Sequence, residues 1–248
     1  MTASRLRPTH CVLFFLALAL LIRAGGSEPP TRPVHLVLVG DSTATDELGW
    51  GTGFKQFVNE RATVTNTAKN GRSSKSFIAE GHWTRALALN GDYYLIQFGH
   101  NDQPGKGPDR ETDPATTFTQ NMARYVDEVR ALGAKPILVT SLTRRNFDPA
   151  HPDRIHSTLG PYVDAVKKLA AEKNVPLIDL HALSLAYCEK VGPAVAAKLN
   201  PIKDGEPDTT HLGAAGSVVF ARLVVDELRK VVPELAPVLR TEPVAPAR

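Results

Sequence analysis

The chain has little sulfur and little indole: two cysteines, two methionines and two tryptophans in 248 residues. Two cysteines allow one disulfide at most. Cys11 lies in an N-terminal segment that reads as a removable leader, so Cys188 is left alone and the mature monomer has no disulfide framework. Long hydrophobic runs are lacking too. The stretch Cys11 to Ile22 has 12 residues, short of the about 20 that a spanning helix needs. Arg5 and Arg7 precede it, and Arg23 and the small residues Ala24, Gly25 and Gly26 follow it. That is the pattern of a secretory signal over residues 1–26, cleaved after Ala24 or Gly26, with no stable membrane insertion once it is removed. Residues 1–26 carry three arginines and no acid, so their loss takes the formal net charge from +3 to zero. Without a basic excess, nucleic acid loses its electrostatic warrant as a partner. Export without disulfides suits a bacterial periplasm or exterior better than a eukaryotic secretory route. Internal repeats, zinc-type Cys and His spacings and a phosphate-binding glycine loop are likewise missing.

What is present is ordinary globular composition, 42% hydrophobic and 22% charged, in an alternating pattern. Short β-rich runs at 34–39, 63–68, 92–98, 135–140 and 175–180 are separated by stretches of helical character at 54–61, 113–132 and 162–173, and a last helix is expected from about Ala214 to Lys230. In the second of these, Asp113-Pro114 caps a helix that puts Phe118, Met122, Tyr125, Val129 and Leu132 on one face before Gly133 ends it. Five strands alternating with helices predict one α/β domain over residues 27–235, a doubly wound and mostly parallel sheet, followed by a Pro- and Ala-rich tail over 236–248 expected to fray. Sheets of this kind bind ligands beyond the carboxyl ends of their strands. The strand-end loops are therefore the place to look for chemistry.

The first strand ends in Gly40-Asp41-Ser42 and a turn of small residues. A serine hydroxyl attacks a carbonyl only when a base takes its proton. The segment Asp208-Thr-Thr-His211 offers one: three-residue spacing across a turn lets Asp208 hold Nδ1–H of His211 and leaves Nε2 for Ser42. An oxyanion needs donors, and the loops after the second and third strands supply candidates. The backbone amide of Gly71, the side-chain amide of Asn101 and the Ser42 amide itself would make a three-donor hole.

In order along the chain stand GDS at 40–42, glycine at 71, GHND at 99–102 and DTTH at 208–211. With these blocks the sequence resembles the SGNH (GDSL-like) hydrolases. The stretches NTAKNGRSSKSF, DYYLIQFGHND and DTTHLGAAG make it similar to the rhamnogalacturonan acetylesterase branch, from residue 34 to about 230. The resemblance implies a flavodoxin-like three-layer α/β/α sandwich around a five-stranded sheet. It also implies metal-independent, cofactor-free ester hydrolysis with Ser42 as nucleophile, His211 as base, Asp208 as its orienter, and Ser42, Gly71 and Asn101 as oxyanion donors. The implied substrate is an acetylated plant cell-wall polysaccharide, most of all pectic rhamnogalacturonan.

Other residues draw structural readings. Asp41 is expected to brace its turn, His100 and Asp102 to support the Asn101 loop, Cys188 to fill core space and Trp83 to pack or anchor a loop; His181 is a rival base of lower standing. Arg72, Lys75, Arg144 and Arg145 sit on strand-end loops and are candidate partners for galacturonate carboxylates, set against a reading as solvated charges. Loops 104–114 and 146–161 are expected to wall the groove. The alternatives are another SGNH acyl hydrolase (a lysophospholipase, a thioesterase or a peptidoglycan O-acetylesterase), a metallophosphoesterase, and a non-catalytic polysaccharide-binding relative. The polar loops disfavour a long acyl slot, a missing Asp-x-His pair disfavours the metalloenzyme, and the filled catalytic positions disfavour the binding relative.

Overall fold

The computed structural model of the chain describes residues 1–2 and 32–244. The apolar run and cleavage site of the expected leader lie outside the described residues, as do residues 245–248. The β-rich runs form β1 (Val34–Gly40), β2 (Ala62–Asn66), β3 (Tyr93–Gln97) and β4 (Lys135–Val139). Then come a small hairpin, β5 (Phe147–Asp148) with β6 (His151–Ile155), and a short strand β7 (Leu177–Ile178). The central sheet has the order β2-β1-β3-β4-β7 and every pairing in it is parallel. This is the flavodoxin-like order, whose switch point lies between the first and third strands.

Helices α1 (Gly51–Gln56), α2 (Ser74–Ala79), α3 (His82–Leu87), α4 (Thr117–Ala131), α5 (Gly160–Glu172), α6 (Leu180–Val191), α7 (Pro193–Ala196) and α8 (Ala214–Val231) cover both faces. Along β1 the side chains alternate between two apolar layers. Leu36 and Leu38 pack with Phe54, Phe57, Phe220 and Val224 on the α1/α8 side. Val37 and Val39 pack with Phe77, Trp83, Phe118 and Tyr125 on the α2–α5 side. A strand buried on both faces reads as a continuous apolar run for this reason. The three-layer sandwich is as expected, with the sheet fully rather than mostly parallel.

Several boundaries differ from the sequence reading. The helix expected over 54–61 is α1, which starts at Gly51 and ends at Gln56. Glycines are poor helix formers, but Gly53 is where α1 meets α8: a Cβ there would lie 2.2 Å from the Ser217 carbonyl oxygen, and its amide donates to Ser217 Oγ at 3.0 Å. Leu132 follows the last residue of α4 and is exposed, while Val126 is buried in its stead. Asp113 caps the turn that leads into α4, accepting from the amides of Ala115 and Thr116. The 146–161 loop contains the β5/β6 hairpin. The tail expected to fray from residue 236 is instead pinned through Val244: Val238 and Leu239 are buried, Asn59 N–H donates to the Val238 carbonyl, Val244 N–H to that of Gln56, and Arg222 pairs with Glu242. Apolar residues at 238 and 239 outweigh the disordering composition around them. Among the described residues no helix is long and apolar enough to cross a membrane.

Candidate active site

The turn after β1 is built by its own side chains. Asp41 Oδ1 accepts from the Thr43 amide at 2.9 Å and the Thr43 hydroxyl at 2.7 Å, which closes the short helical turn Ser42–Ala44 as a side-chain cap. Gln97, the last residue of β3, donates Nε2–H to Thr43 Oγ1 at 2.6 Å and accepts from Trp50 Nε1–H at 2.9 Å. A directed, fully buried chain thus runs from Trp50 through Gln97 and Thr43 to Asp41. Sequence reasoning missed Gln97, a lone amide in an apolar strand.

Ser42 is 6% exposed, and His211 Nε2 lies 2.8 Å from its Oγ. On the other side of the ring, Nδ1 lies 2.6 Å from Asp208 Oδ2. Asp208 Oδ1 accepts from the amides of Thr210 at 2.9 Å and His211 at 3.1 Å, so one carboxylate shapes the loop and orients the imidazole. Burial raises the Asp208 pKa, but the His211 ring and these amides outweigh it and hold the group below the usual carboxylate range. An ionised Asp208 fixes the tautomer that leaves Nε2 free to accept from the serine hydroxyl. The three residues, 169 positions apart at the extremes of the serine–histidine contact, meet because β1 and the start of α8 end on the same edge of the sheet.

The oxyanion candidates lie on two further loops. Gly71 has φ +73°, a left-handed conformation that side chains resist, and the preceding Asn70 is tied to the turn that carries Ser42 through Thr45 Oγ1 at 3.3 Å. Asn101 is 9% exposed and donates one Nδ2 hydrogen to the Arg72 carbonyl at 3.2 Å. A primary amide has a second hydrogen, which this bond leaves available.

A family model for the GDSL-like lipase/acylhydrolase family matches residues 38–219. The chain is also 40% identical over 219 residues to the rhamnogalacturonan acetylesterase RhgT of Bacillus subtilis, covering 81% of this chain and 91% of that one. It belongs to the GDSL-like lipase/acylhydrolase family. Among solved structures, the Bacillus subtilis protein YxiM aligns with TM-score 0.70 and 29% identity, over 84% of this chain and 59% of the other. A catalytic mutant of Axe2, an acetylxylan esterase from Geobacillus stearothermophilus, shares the fold with TM-score 0.60 and 19% identity, over 81% and 96% of the two chains. This GDSL-family chain is a carboxylic ester hydrolase.

A second acid–histidine pair includes Asp41, the residue before Ser42 in this hydrolase. His100 Nδ1 is 3.6 Å from Asp41 Oδ2, both residues are buried, and among the described residues Asp41 Oδ2 and both ring nitrogens of His100 have no hydrogen-bond partner. Burial pushes the His100 pKa down despite Asp41; the Asp41 pKa, raised by burial, is brought below the usual range by His100 and Thr43. Asp102, also buried, accepts from the Ser74 amide and hydroxyl and from Thr112 Oγ1, which ties the Asn101 loop to α2. Burial, against those donors, pushes its pKa up to about 7.

The four cations separate. Arg145, expected among the substrate-facing groups, is 3% exposed. Its guanidinium donates to the carbonyls of His211 and Asp208 and to Asn200 Oδ1 and lies over the Phe220 ring, so it is a clamp under the Asp208–His211 loop. Burial lowers its pKa to about 10. Arg72 pairs with Glu80 at 2.8 Å, and Lys75 donates to the Pro108 carbonyl at 2.6 Å. Arg144 is half-buried, faces a cleft and donates to Thr158 Oγ1 at 3.3 Å. Of the remaining candidates, His181 is spent on the Ser141 carbonyl, Trp83 is buried and donates to Glu128, and Cys188 is buried with its pKa pushed up to about 11 by burial. Among the described residues no group of three or more His, Cys, Asp or Glu side chains is placed to hold a metal ion.

Proposed function

We propose that this chain is a secreted or periplasmic bacterial carbohydrate acetylesterase that removes acetyl groups from a plant cell-wall polysaccharide, most specifically pectic rhamnogalacturonan. The observation that carries the chemistry is the continuous bonding Asp208–His211–Ser42 at 2.6 and 2.8 Å; the substrate rests on the similarity to RhgT. Export rests on the charged, apolar and small-residue pattern of residues 1–26.

In this reading Ser42 Oγ attacks the acetyl carbonyl as His211 Nε2 takes its proton. The amides of Ser42 and Gly71 and the second Nδ2 hydrogen of Asn101 hold the oxyanion. Collapse breaks the ester bond, His211 returns the proton to the departing sugar oxygen, and acetyl remains on Ser42. Water, deprotonated by the same imidazole, then releases acetate. Asp208 stays ionised throughout and stabilises the imidazolium. The test is acetate release from acetylated rhamnogalacturonan by the purified mature protein and by Ser42→Ala. Release that vanishes in the variant supports the reading. Ser42-dependent hydrolysis of 4-nitrophenyl acetate without release from the polymer would keep the mechanism and discard the polysaccharide.

A further inference from the structure

The chain contains two Asn-Gly pairs, Asn70-Gly71 in the loop after β2 and Asn90-Gly91 ahead of β3. In such a pair the glycine nitrogen can attack the asparagine side-chain amide and close a five-membered succinimide, because the glycine has no Cβ to hinder the approach. Both asparagines are exposed. What separates the pairs is the state of the glycine nitrogen.

Gly91 is buried, its amide donates to Tyr94 Oη at 3.1 Å, and an added Cβ would lie 2.5 Å from Val37 Cγ2. That nitrogen is engaged and its surroundings are closed. The Gly71 amide donates to no acceptor among the described residues. The nearest non-adjacent atom to an added Cβ there is Arg110 Nη1, at 3.9 Å. An amide kept free for an oxyanion is also free to react.

The neighbours of Asn70 favour the attack. The Asn70 carbonyl and the Gly71 N–H belong to one peptide group, and Arg72 Nη1–H donates to that carbonyl at 2.9 Å. A charge-assisted bond at this oxygen stabilises the anion left when the Gly71 nitrogen loses its proton. The Thr45 hydroxyl, which also donates to the Ser42 carbonyl at 2.8 Å, lies 3.3 Å from Asn70 Oδ1, where it polarises the carbon under attack. Ring closure needs rotation at Asn70, and the backbone bond that spans this turn, from Arg72 N–H to the Lys69 carbonyl, is long at 3.3 Å.

We propose that Asn70-Gly71 is a site of intramolecular succinimide formation and deamidation, and that this modification lowers the activity of the esterase. Hydroxide takes the Gly71 amide proton, the nitrogen bonds to Asn70 Cγ, and the Cγ–Nδ2 bond breaks as ammonia leaves with a proton from water. Water then opens the ring. Cleavage at Cγ leaves aspartate at position 70, and cleavage at the backbone carbonyl leaves isoaspartate, with the chain running through the former side chain. In the succinimide the Gly71 nitrogen carries no hydrogen, so one oxyanion donor is gone. Isoaspartate lengthens the chain ahead of Gly71 by one carbon, and either product sets a negative charge beside the oxyanion. The effect on activity rests on the reading of Gly71 as an oxyanion donor; the modification itself does not.

The test incubates the full chain at pH 9 and at pH 6 and reads two quantities over time: deamidation and isoaspartate by peptide mapping, and hydrolysis of 4-nitrophenyl acetate. At pH 9 the peptide bearing Asn70 should be modified at least about tenfold faster than the peptide bearing Asn90. Activity should fall in step with the fraction modified at Asn70, with little change in either at pH 6. Asn70→Gln, whose longer side chain would have to close a six-membered ring, should hold its own starting activity through the same incubation, and Asn90→Gln should lose activity as the wild type does. Activity that fades while Asn70 stays intact, or equal modification of the two pairs, overturns the inference and leaves the oxyanion reading of Gly71 standing. Modification of Asn70 with activity unchanged overturns the link to activity and, with it, the role given to Gly71.

Discussion

Two acid–histidine pairs meet at the turn that carries Ser42, and they share residue types but little else. Asp208–His211 is partly exposed, bonded at 2.6 Å, and its imidazole reaches the serine. Asp41–His100 is buried and separated by 3.6 Å, and its imidazole has no hydrogen-bond partner among the described residues. Solvent and geometry, not composition, distinguish them: the proposed base has a carboxylate in contact and room for charge, whereas charging is disfavoured for a ring at 3% exposure.

The comparison can be broken most forcefully at the first pair. Ser42→Ala and His211→Ala should each lower kcat for 4-nitrophenyl acetate by at least about a thousandfold with unfolding temperatures near wild type; stopped-flow or long-incubation assays read this, and a loss under tenfold would mean that another group does the chemistry. Next in size, Asp208→Asn should cost about 10²–10⁴ in kcat, while Asp41→Asn should show chiefly as lost stability, of about 1–3 kcal/mol, because it disturbs the two bonds from Thr43. Reversed rankings would erase the distinction between the pairs. Arg145→Gln lies between them: with the clamp under the His211 carbonyl weakened, kcat should fall by about tenfold with KM little changed, a split that simple loss of folded protein would not produce.

The smallest effect sharpens the second pair. Burial lowers the His100 pKa in the folded state, so the neutral ring contributes stability above the unfolded value of about 6.5. That contribution is lost as pH falls below it toward the folded value. Asp102, raised to about 7, works in the opposite sense, its contribution being lost as pH rises from about 4 to about 7. Thermal unfolding of wild type and His100→Asn between pH 7.5 and 5 isolates the histidine: the wild type should lose a few degrees more than the variant across that window. Parallel curves would show that His100 does not titrate against the fold.

The Asp208–His211–Ser42 contacts were legible in the sequence because the segments that make them are local. Gly40 to Ser42 and Gly99 to Asp102 each sit within four residues at a strand end, Asp208 to His211 within four residues ahead of α8, and apolar runs announce the strands. What the sequence hid was long-range. Gln97 takes its meaning from Trp50 and Thr43 on other elements. Arg144 and Arg145 are neighbours with the same charge, yet one faces a cleft and the other lies under the Asp208–His211 loop, a difference set by which way each points from one short segment. The packed tail at 238–244 depends on α1 and α8, and no local pattern records such a contact. The position of α1 is hidden for a related reason: Gly53 answers to the approach of α8 and Gly51 to Asn66 and Ala44, not to helix propensity.

The central claim is that Ser42 is activated by His211 and not by His100. The direct measurement is covalent labelling with an alkyl fluorophosphonate, read by intact mass and peptide mapping, in wild type, His100→Asn and His211→Ala. The account predicts a single adduct on the peptide bearing Ser42, formed in wild type and His100→Asn and absent or at least about a hundredfold slower in His211→Ala. Labelling that survives in His211→Ala and fails in His100→Asn, or an adduct on a residue other than Ser42, would contradict it.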